Sequence, residues 1–212
     1  MKKYEFTGET KEFYGHTMHR IRRLSDGLIG GWIETENNLS HDGDCFVYDE
    51  AKVYGDAIVF GNARVYGDVK VYGNAIVYRD AKVYGNAKVY GDAEVYGNAI
   101  VSGNAIVSGN AIVSGSAKVY GNAEVYVFAI VSGSANIVNG KHTKQVKTFQ
   151  LSQHCITLDG DYLNIGCKSY TINQWLKNYK KIAKAENYSD EEIEEYGIII
   201  KSIDQIRKLG NE

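Results

Sequence analysis

The side chains best suited to metal binding or nucleophilic chemistry are histidines and cysteines near the two ends of the chain. His154, Cys155 and Cys167 offer the imidazole and thiolate ligands that zinc prefers. A hairpin predicted for this region turns His154 and Cys155 to opposite faces and places Cys167 opposite Ser152. We therefore expect these residues to pack, and we predict no metal site.

A second cluster of reactive side chains is basic and lies near the N-terminus. A predicted strand carries His16, His19, Arg20, Arg22 and Arg23. Such a strand could hold an anion or an acidic partner surface. The simpler interpretation, which we favour, is a solvated strand face paired with carboxylates close by in the sequence. Those carboxylates are Glu34, Glu36, Asp42 and Asp44.

The middle of the chain is a strict six-residue repeat. From Val47 to Val131 every sixth residue is valine, fifteen times in succession. From Ala51 onward alanine stands two places before the valine, and only Val69 breaks that row. Gly-Asn or Gly-Asp usually follows two places after the valine. A period this short and regular is typical of a parallel β-helix, whose short strands stack coil upon coil.

Each repeat has the form Ala-x-Val-Tyr-Gly-Asn, and side chains alternate along its extended part. Alanine and valine point inward, while x and tyrosine point outward. Glycine and Asn or Asp suit the corners, where the backbone turns. With three repeats in each triangular coil, the fold class is mainly β: a parallel β-helix of about five coils, ~24 Å tall.

Four segments are predicted along the chain. Residues 1–38 form an N-terminal β cap, because the open end of a solenoid exposes unpaired strand edges. Residues 39–138 form the hexapeptide-repeat β-helix. Residues 139–150 form a linker, and residues 151–212 form a C-terminal ββαα module.

The C-terminal module is predicted from a turn and two helix starts. Asp159-Gly160 is a two-residue hairpin turn that pairs Ile156 with Leu163. Capping boxes predict helices that begin at Thr171 and Ser189. Gly197 weakens the second helix by ~1 kcal/mol. The inward stripe of that helix is predicted to be Ile193, Tyr196, Ile200, Ile203 and Ile206.

Composition narrows the range of partners and compartments. A net charge of −2 and a pI near 6.2 predict neither DNA binding nor association with a membrane surface. No apolar run approaches the ~20 residues of a membrane span. The first residues lack the apolar core of a signal peptide, and three scattered cysteines are too few for a disulfide framework. We expect a cytoplasmic protein, placed by the resemblance below in a bacterial host cell.

The sequence resembles a known family. The hexads are similar to those of hexapeptide-repeat proteins, whose fold is a left-handed parallel β-helix. An N-terminal signature resembles that of YdcK-like members: Gly30-Gly31-Trp32-Ile33, Asn38-Leu39-Ser40 and residues 43–51. Residues 161–167 and 170–176 are similar to the tail of short phage and prophage members. Phe46 departs from this signature, because tryptophan is expected there.

The resemblance includes enzymes, so their catalytic residues must be sought here. Hexapeptide acyltransferases use a histidine near a subunit boundary, and γ-class carbonic anhydrases use three histidines to hold a metal. Residues 47–138 contain no histidine, and the unbroken repeat leaves no extruded loop to cover an acyl donor. We therefore predict no catalytic residue and no cofactor. A hexapeptide-repeat acyltransferase-like enzyme remains the alternative.

Outward tyrosines are predicted to align at 18-residue spacing along the edges of the rod. One edge carries Tyr54, Tyr72, Tyr90 and Tyr126, and another carries Tyr48, Tyr66, Tyr84 and Tyr120. Such ladders can stack nucleobases or seat a partner, or they can simply cover β-structure. Covering is the simpler interpretation. If the ladders bind, the predicted ligand or partner site comprises Tyr66, Tyr84, Tyr120, Trp175 and Tyr179.

One outward column is apolar and should be covered. Its members are Ile58, Ile76, Ile112 and Ile130, flanked by Phe60 and Tyr78. Either the C-terminal module folds over this column or it is a subunit interface, and we favour the interface. Because trimers are usual among the proteins that the chain resembles, we predict a homotrimer.

These observations predict a non-catalytic, phage-type β-helix protein that works by binding. The resemblance to short phage members implies an inhibitor of a host antiviral defence system. It would act by binding a host protein or by sequestering a small nucleotide.

Overall fold

The chain folds into two compact units, residues 1–146 and 147–212. The structure, a computed structural model, describes residues 1–138, 140–142, 146–149, 151, 153–166 and 168–209. The predicted placement of Cys167 opposite Ser152 lies outside the described residues. Each unit has its own hydrophobic core.

The first unit begins with three longer strands and continues as a run of very short ones. The longer strands are β1 (Tyr4–Phe13), β2 (His16–Arg23) and β3 (Ile29–Ile33), followed by a 3₁₀ turn at Glu36–Asn38. The short strands are β4 (Phe46–Val47), β5 (Lys52–Val53), β6 (Ile58–Val59), β7 (Arg64–Val65), β8 (Lys70–Val71), β9 (Ile76–Val77), β10 (Lys82–Val83), β11 (Lys88–Val89), β12 (Glu94–Val95), β13 (Ile100–Val101), β14 (Ile106–Val107), β15 (Ile112–Val113), β16 (Lys118–Val119), β17 (Glu124–Val125), β18 (Ile130–Val131), β19 (Asn136–Ile137) and β20 (Lys141–His142).

Among the described residues, the short strands stack into three parallel sheets, one for each face of the coil. Face I contains β3, β5, β8, β11, β14, β17 and β20. Face II contains β6, β9, β12, β15 and β18, and face III contains β4, β7, β10, β13, β16 and β19. From β4 to β19, each strand pairs in register with the strand 18 residues away, as Lys82 does with Ile100. The solenoid therefore has about six turns, one more than the predicted five.

The interior of the solenoid is filled by alanine and valine. The alanine and valine of every hexad from Ala51 to Val131 are fully buried, whereas the residue between them is mostly outward and accessible. Val69, which breaks the alanine row, is also fully buried. The predicted alternation of inward and outward residues is confirmed.

Glycine is needed at the corners for two physical reasons. Gly91 has φ +72°, a left-handed conformation that costs other residues energy. A Cβ atom at Gly91 would also lie 2.9 Å from the backbone nitrogen of Gly109 on the next coil. A side chain at such a corner therefore meets both local strain and a neighbouring coil.

The N-terminal end is closed by an antiparallel meander of β1, β2 and β3, which then continues into the solenoid. Trp32 and Ile33 of β3 pair in parallel with Lys52 and Val53, so face I extends back into this meander. The buried Asn38 amide donates to the carbonyl oxygens of Gly55 and Ala57 (both 2.8 Å). Polar and apolar contacts together cover the first open coil.

The basic strand β2 is paired largely with carboxylates other than those expected. His16 lies 2.9 Å from Glu34, as expected. Arg22 pairs with Glu5, which stands directly opposite it on β1. The remaining ion pairs are Arg20 with Glu50 (2.6 Å) and Arg23 with Asp26 (2.5 Å). The expectation of Glu36, Asp42 and Asp44 was wrong: Glu36 pairs with Lys2 and His41, while cross-strand register and a tight turn supply nearer partners to β2.

The second unit is an antiparallel sheet followed by two consecutive helices. Its strands are β21 (Lys147–Phe149), β22 (Ile156–Asp159), β23 (Tyr162–Ile165) and β24 (Lys168–Thr171), in that spatial order. The helices are α1 (Ile172–Ala185) and α2 (Asp190–Leu209). Both predicted capping boxes are present, since Thr171 pairs with Gln174 and Ser189 with Glu192.

The hairpin register differs from the predicted one. Ile156 pairs with Ile165, not with Leu163, and the two-residue turn is Gly160-Asp161. Glycine at the first turn position, with φ +58°, is what a type II′ turn requires. The shift moves the pairing by two residues, so the predicted apolar face is kept.

The predicted inward stripe of α2 is wrong at its last residue. Ile193, Tyr196, Ile200 and Ile203 are buried, but Ile206 is 57% exposed. The inward side continues instead through Asp204, which is buried and bonded to Arg207 (2.8 Å). Ile206 lies ~200° around the helix from the buried Asp204, which turns it towards solvent.

Gly197 has a packing role that the sequence did not indicate. A Cβ atom at this position would lie 2.6 Å from the Tyr179 ring. The ring therefore rests against the backbone of α2, which continues without a break from Asp190 to Leu209.

The predicted fold class is confirmed: a mainly β chain with a parallel solenoid, an N-terminal cap and a C-terminal pair of helices. The left hand implied by the resemblance stays a prediction. Within the described part of the chain, no helix is long and apolar enough to cross a membrane.

Because side chains alternate between the interior and the outside, substitutions of neighbouring residues should have different effects on stability. Ala87→Leu should overpack the narrow interior and cost ~1–3 kcal/mol, and Val89→Asp should cost more by burying a charge. Lys88→Gln, outward between them, should leave the thermal unfolding midpoint nearly unchanged. Equal shifts for all three variants in differential scanning calorimetry would contradict the assigned orientation.

Candidate binding and assembly faces

Stacked aromatic rings run along each edge of the solenoid. Five pairs of adjacent rings, each pair 18 residues apart, have planes within 23° of parallel. The centroid distances are Tyr54–Tyr72 5.1 Å, Tyr72–Tyr90 4.8 Å, Tyr66–Tyr84 5.0 Å, Phe60–Tyr78 4.9 Å and Tyr78–Tyr96 4.8 Å. The coil spacing of ~4.8 Å therefore sets the ring spacing.

All three ladders lose their ring on the same coil, and the face II ladder ends there, because Ser132 follows Ser114. Ser102, Ser108 and Ser114 take the positions where tyrosine stands on the coil below, and each is buried. Tyr84 and Tyr120 lie one coil below and one coil above Ser102. Two coils rise ~9.6 Å, which is twice the spacing of stacked rings in the ladders. Each serine therefore occupies a step from which one aromatic ring is missing.

The surroundings of these missing rings differ in charge from face to face. Beside Ser102, on face III, the outward column reads Lys82, Ile100 and Lys118, with in-register pairing throughout. Beside Ser108, on face I, the column has Lys88 below Ile106 and Glu124 above it. The gap at Ser102 thus combines two flanking tyrosines with two flanking lysines.

Face III, which carries the gap at Ser102, has more basic residues beside its gap than face I has beside the gap at Ser108. Arg64 and Lys82 stack in register, and neither makes an ion pair with any residue that the structure describes. They line an open depression of about 330 Å³ with Asp49, Tyr48 and Tyr66, and the two tyrosine rings meet edge-on at 6.5 Å. This face therefore places two cations without a described ion pair beside tyrosine rings and the Asp49 carboxylate.

Burial raises the pKa of three ladder tyrosines, Tyr54, Tyr66 and Tyr72. Burial, with a smaller contribution from Tyr72, raises the pKa of Tyr54 to about 12. Burial likewise raises the pKa of Tyr66 and of Tyr72 above the ordinary tyrosine value. These rings therefore offer neutral stacking faces.

The predicted isoleucine column lies on face II. Ile76 pairs in register with Ile58, and Ile112 pairs with Ile130. Ile58, Ile130 and the neighbouring Phe60 are all more than a third exposed. Glu94 interrupts the column, and its carboxylate accepts a hydrogen bond from the Tyr78 hydroxyl (3.4 Å). The structure brings these predicted interface residues together as one largely apolar stripe.

Trp175 and Tyr179 belong instead to the core of the second unit. Both are buried, and the Trp175 indole N–H donates to the Leu163 carbonyl oxygen at 2.7 Å. They border a small, partly open cavity of about 50 Å³, together with His154, Tyr188 and Tyr196. Their predicted role in an exposed binding surface is therefore replaced by core packing.

The cavity in the second unit contains a histidine–tyrosine cluster. His154 Nδ1 lies 2.6 Å from the Tyr188 hydroxyl, and the Tyr196 hydroxyl bonds both backbone groups of His154 (2.7 and 2.9 Å). Burial raises the pKa of Tyr188 and of Tyr196. These contacts hold His154 in place within the packed unit.

The other histidines are also engaged in local structure. His16 is bonded to Glu34, His19 stacks on Phe6 and His41 stacks on Tyr4. His142 is buried at an inward position, in register with Val125. Among the described residues, no three His, Cys, Asp or Glu side chains are grouped as metal ligands.

Sequence reasoning missed two unusual corners. Arg79 (φ +59°) and Val127 (φ +63°) stand where the repeat has glycine, in a conformation that costs an L-residue ~1–2 kcal/mol. Next to Val127, Phe128 replaces Asn or Asp and is 69% exposed. A signal was available, because these residues break the Gly-Asn rule at otherwise regular corners. Strain that persists in this way commonly marks a functional site.

The geometry defines the class of protein: a parallel β-solenoid of hexapeptide repeats, with tyrosine ladders and an apolar face outside. A family model described as the YdcK beta-solenoid repeat matches residues 51–67 and 93–109. The chain thus carries YdcK-type solenoid repeats, and the predicted resemblance is confirmed for the repeat. No curated protein matches the chain. The phage type stays a prediction.

The raised pKa of Tyr54 predicts a loss of stability at alkaline pH. Its pKa is about 12 in the folded chain and ~10 in an unfolded one. The stability linked to neutral Tyr54 is therefore complete below pH ~10 and is lost as the pH rises through about 12. Denaturant titrations should show a steeper fall for the wild type than for Tyr54→Phe. Parallel falls would show that Tyr54 ionises alike in both states.

Proposed function

We propose that this protein is a non-catalytic binding protein whose ligand is an anionic molecule with a planar aromatic ring. The observation that carries the proposal is the missing ring at Ser102 on face III. A planar ring inserted there would lie between Tyr84 and Tyr120 and continue the ladder. Base–aromatic stacking of this kind contributes ~1–3 kcal/mol per base.

Charge selects the class of ligand. Lys82 and Lys118 flank the same step, and Arg64 extends the basic column by one coil. An inserted ring would therefore place its anionic substituent beside two ammonium groups. A nucleotide is the commonest small molecule that combines a planar ring with a negative charge. Tyr66, Tyr84 and Tyr120 are the stacking residues in this proposal.

The test fills the gap with the residue that the ladder lacks. Ser102→Tyr should restore a continuous ladder, leave the thermal unfolding midpoint unchanged or higher, and abolish nucleotide binding in isothermal titration. Ser108→Tyr is the matched control, because it fills the gap on face I, where Glu124 replaces the second lysine. The control should bind as the wild type does.

Two results would count against the nucleotide proposal. One is a wild-type protein that binds none of a panel of mononucleotides and cyclic dinucleotides. The other is equal loss of affinity in Ser102→Tyr and Ser108→Tyr, which would remove any special role of face III. In either case a protein partner becomes the better candidate for the exposed ladders.

The biological setting is the finer part of this proposal. Inhibition of a host antiviral defence system rests on the resemblance to short phage proteins alone. Sequestering a nucleotide signal is the form of inhibition that the gap at Ser102 supports, and blocking a host protein is the alternative. The alternative enzymatic role, acyl transfer, would require a histidine at these faces. The described histidines instead make local contacts in the cap, the interior of the last coil and the second unit.

The proposal also includes a homotrimer assembled through face II. The exposed isoleucines of that face form a stripe whose burial would remove apolar surface from water at ~25 cal/mol per Å². Three flat faces can enclose a triangular axis, which the isoleucine side chains would fill. The association is then heterologous and closes as a ring.

Assembly is tested by placing lysines in the isoleucine stripe of face II. Light scattering should report three times 23.6 kDa for the wild type and a single chain for Ile76→Lys with Ile112→Lys. Both new lysines flank Glu94, so the isolated solenoid should keep its β-sheet circular dichroism. Lys52→Gln with Lys88→Gln on face I is the control and should remain trimeric. A monomeric wild type at all concentrations would exclude this assembly.

A further inference from the structure

Two corners of the solenoid, at Val127 and Arg79, depart from the glycine of the repeat. Val127 keeps a left-handed conformation that disfavours β-branched residues. Phe128, the next residue, is 69% exposed and stands at a corner position that most other coils fill with Asn, Asp or Ser. Arg79 is also left-handed and exposed, and makes no ion pair with a described residue. Its guanidinium lies over the rings of Tyr78 and Tyr96 (5.9 and 5.7 Å).

These corners border face II on opposite sides. Val127 and Phe128 lie where the chain passes from face I to face II, between β17 and β18. Arg79 lies where it passes from face II to face III, between β9 and β10. A ring of copies that turn face II towards a common axis brings the first corner of one copy against the second corner of the next.

The heights of the two corners match in such a ring. Copies related by rotation about an axis parallel to the solenoid meet at equal heights, and 18 residues rise ~4.8 Å. Phe128 therefore falls between Ser114 and Ser132 of the next copy, ~1 Å below Ser132. Both serines stand on the face II edge, where Tyr78 and Tyr96 stand lower down. The edge is thus recessed by missing rings at the height of the protruding phenylalanine.

Charge is complementary along the same edge. Asp92 lies on the corner that carries Phe128, two coils lower, and is exposed. Its carboxylate accepts only a neutral amide hydrogen bond, from Asn74 at 2.8 Å, among the described residues. Arg79 of the next copy would stand ~3.5 Å below Asp92, within reach of a guanidinium.

From these contacts we infer that Phe128 and Asp92 of one copy bind the Ser114–Ser132 recess and Arg79 of a second copy of this chain. This interface rests on the face II assembly proposed above and specifies its register. The strain at Val127 is then offset in the assembly, where Phe128 is covered.

The main test restores the regular corner. Val127→Gly with Phe128→Asn should release the local strain and raise the melting temperature of the dilute chain, while light scattering falls from three chains to one. Gain of stability with loss of assembly separates this result from misfolding. Asn104→Ser, at the corner between faces III and I, is the control and should stay trimeric.

A charge exchange identifies the second contact. Arg79→Asp alone should weaken assembly at least tenfold, and Arg79→Asp with Asp92→Arg should restore it, because the pair is reversed. A trimeric wild type whose corner-restored variant is also trimeric would overturn the inference and leave the isoleucine assembly standing. A monomeric wild type would overturn both, and nucleotide binding at Ser102 would still be tested independently.

Discussion

The narrow interior of the solenoid is the constraint on which the other features depend. Each hexad sends one alanine and one valine inward, and these side chains are fully buried on every coil. Because neighbouring coils must stay ~4.8 Å apart for their strands to bond, the interior has little room for larger side chains, and only Val69 and Ile137 exceed the alanine or valine of the repeat at the inward positions of residues 51–137. The constancy of the repeat follows directly from that limit.

The same spacing governs the outside of the rod. Residues 18 positions apart are brought into register, so identical outward residues become stacked ladders with ring centroids 4.8 to 5.1 Å apart. Each ladder position then either carries an aromatic ring or lacks one. The coil that carries Ser102, Ser108 and Ser114 lacks the ring of all three ladders at one height, and the lysines beside Ser102 give one gap its own charge. Recognition can thus be built from single substitutions on a fixed scaffold.

A few corners of the solenoid depart from the glycine of the repeat. Most corners have glycine, because a Cβ atom would press on the next coil, as at Gly91 beside Gly109. Asp49 departs from glycine but has a local reason, since its carboxylate accepts a hydrogen bond from Gly67 N–H at 3.0 Å. Arg79 and Val127 have no such bond among the described contacts. Arg79 lies over the rings of Tyr78 and Tyr96, and both corners belong to the proposed interface between copies.

The amino-acid sequence by itself determined the period, the inward and outward positions and the starts of both helices. Those properties depend on local alternation and on capping groups three residues apart, which are visible in a short window. The tertiary structure alone decided the partners of Arg20 and Arg22, the register of the hairpin at Gly160 and the contact between Gly197 and Tyr179. It also buried Trp175 and Tyr179, which the sequence had placed on a binding surface. Contacts of this second kind join residues distant in the chain, and they depend on how whole strands and helices pack.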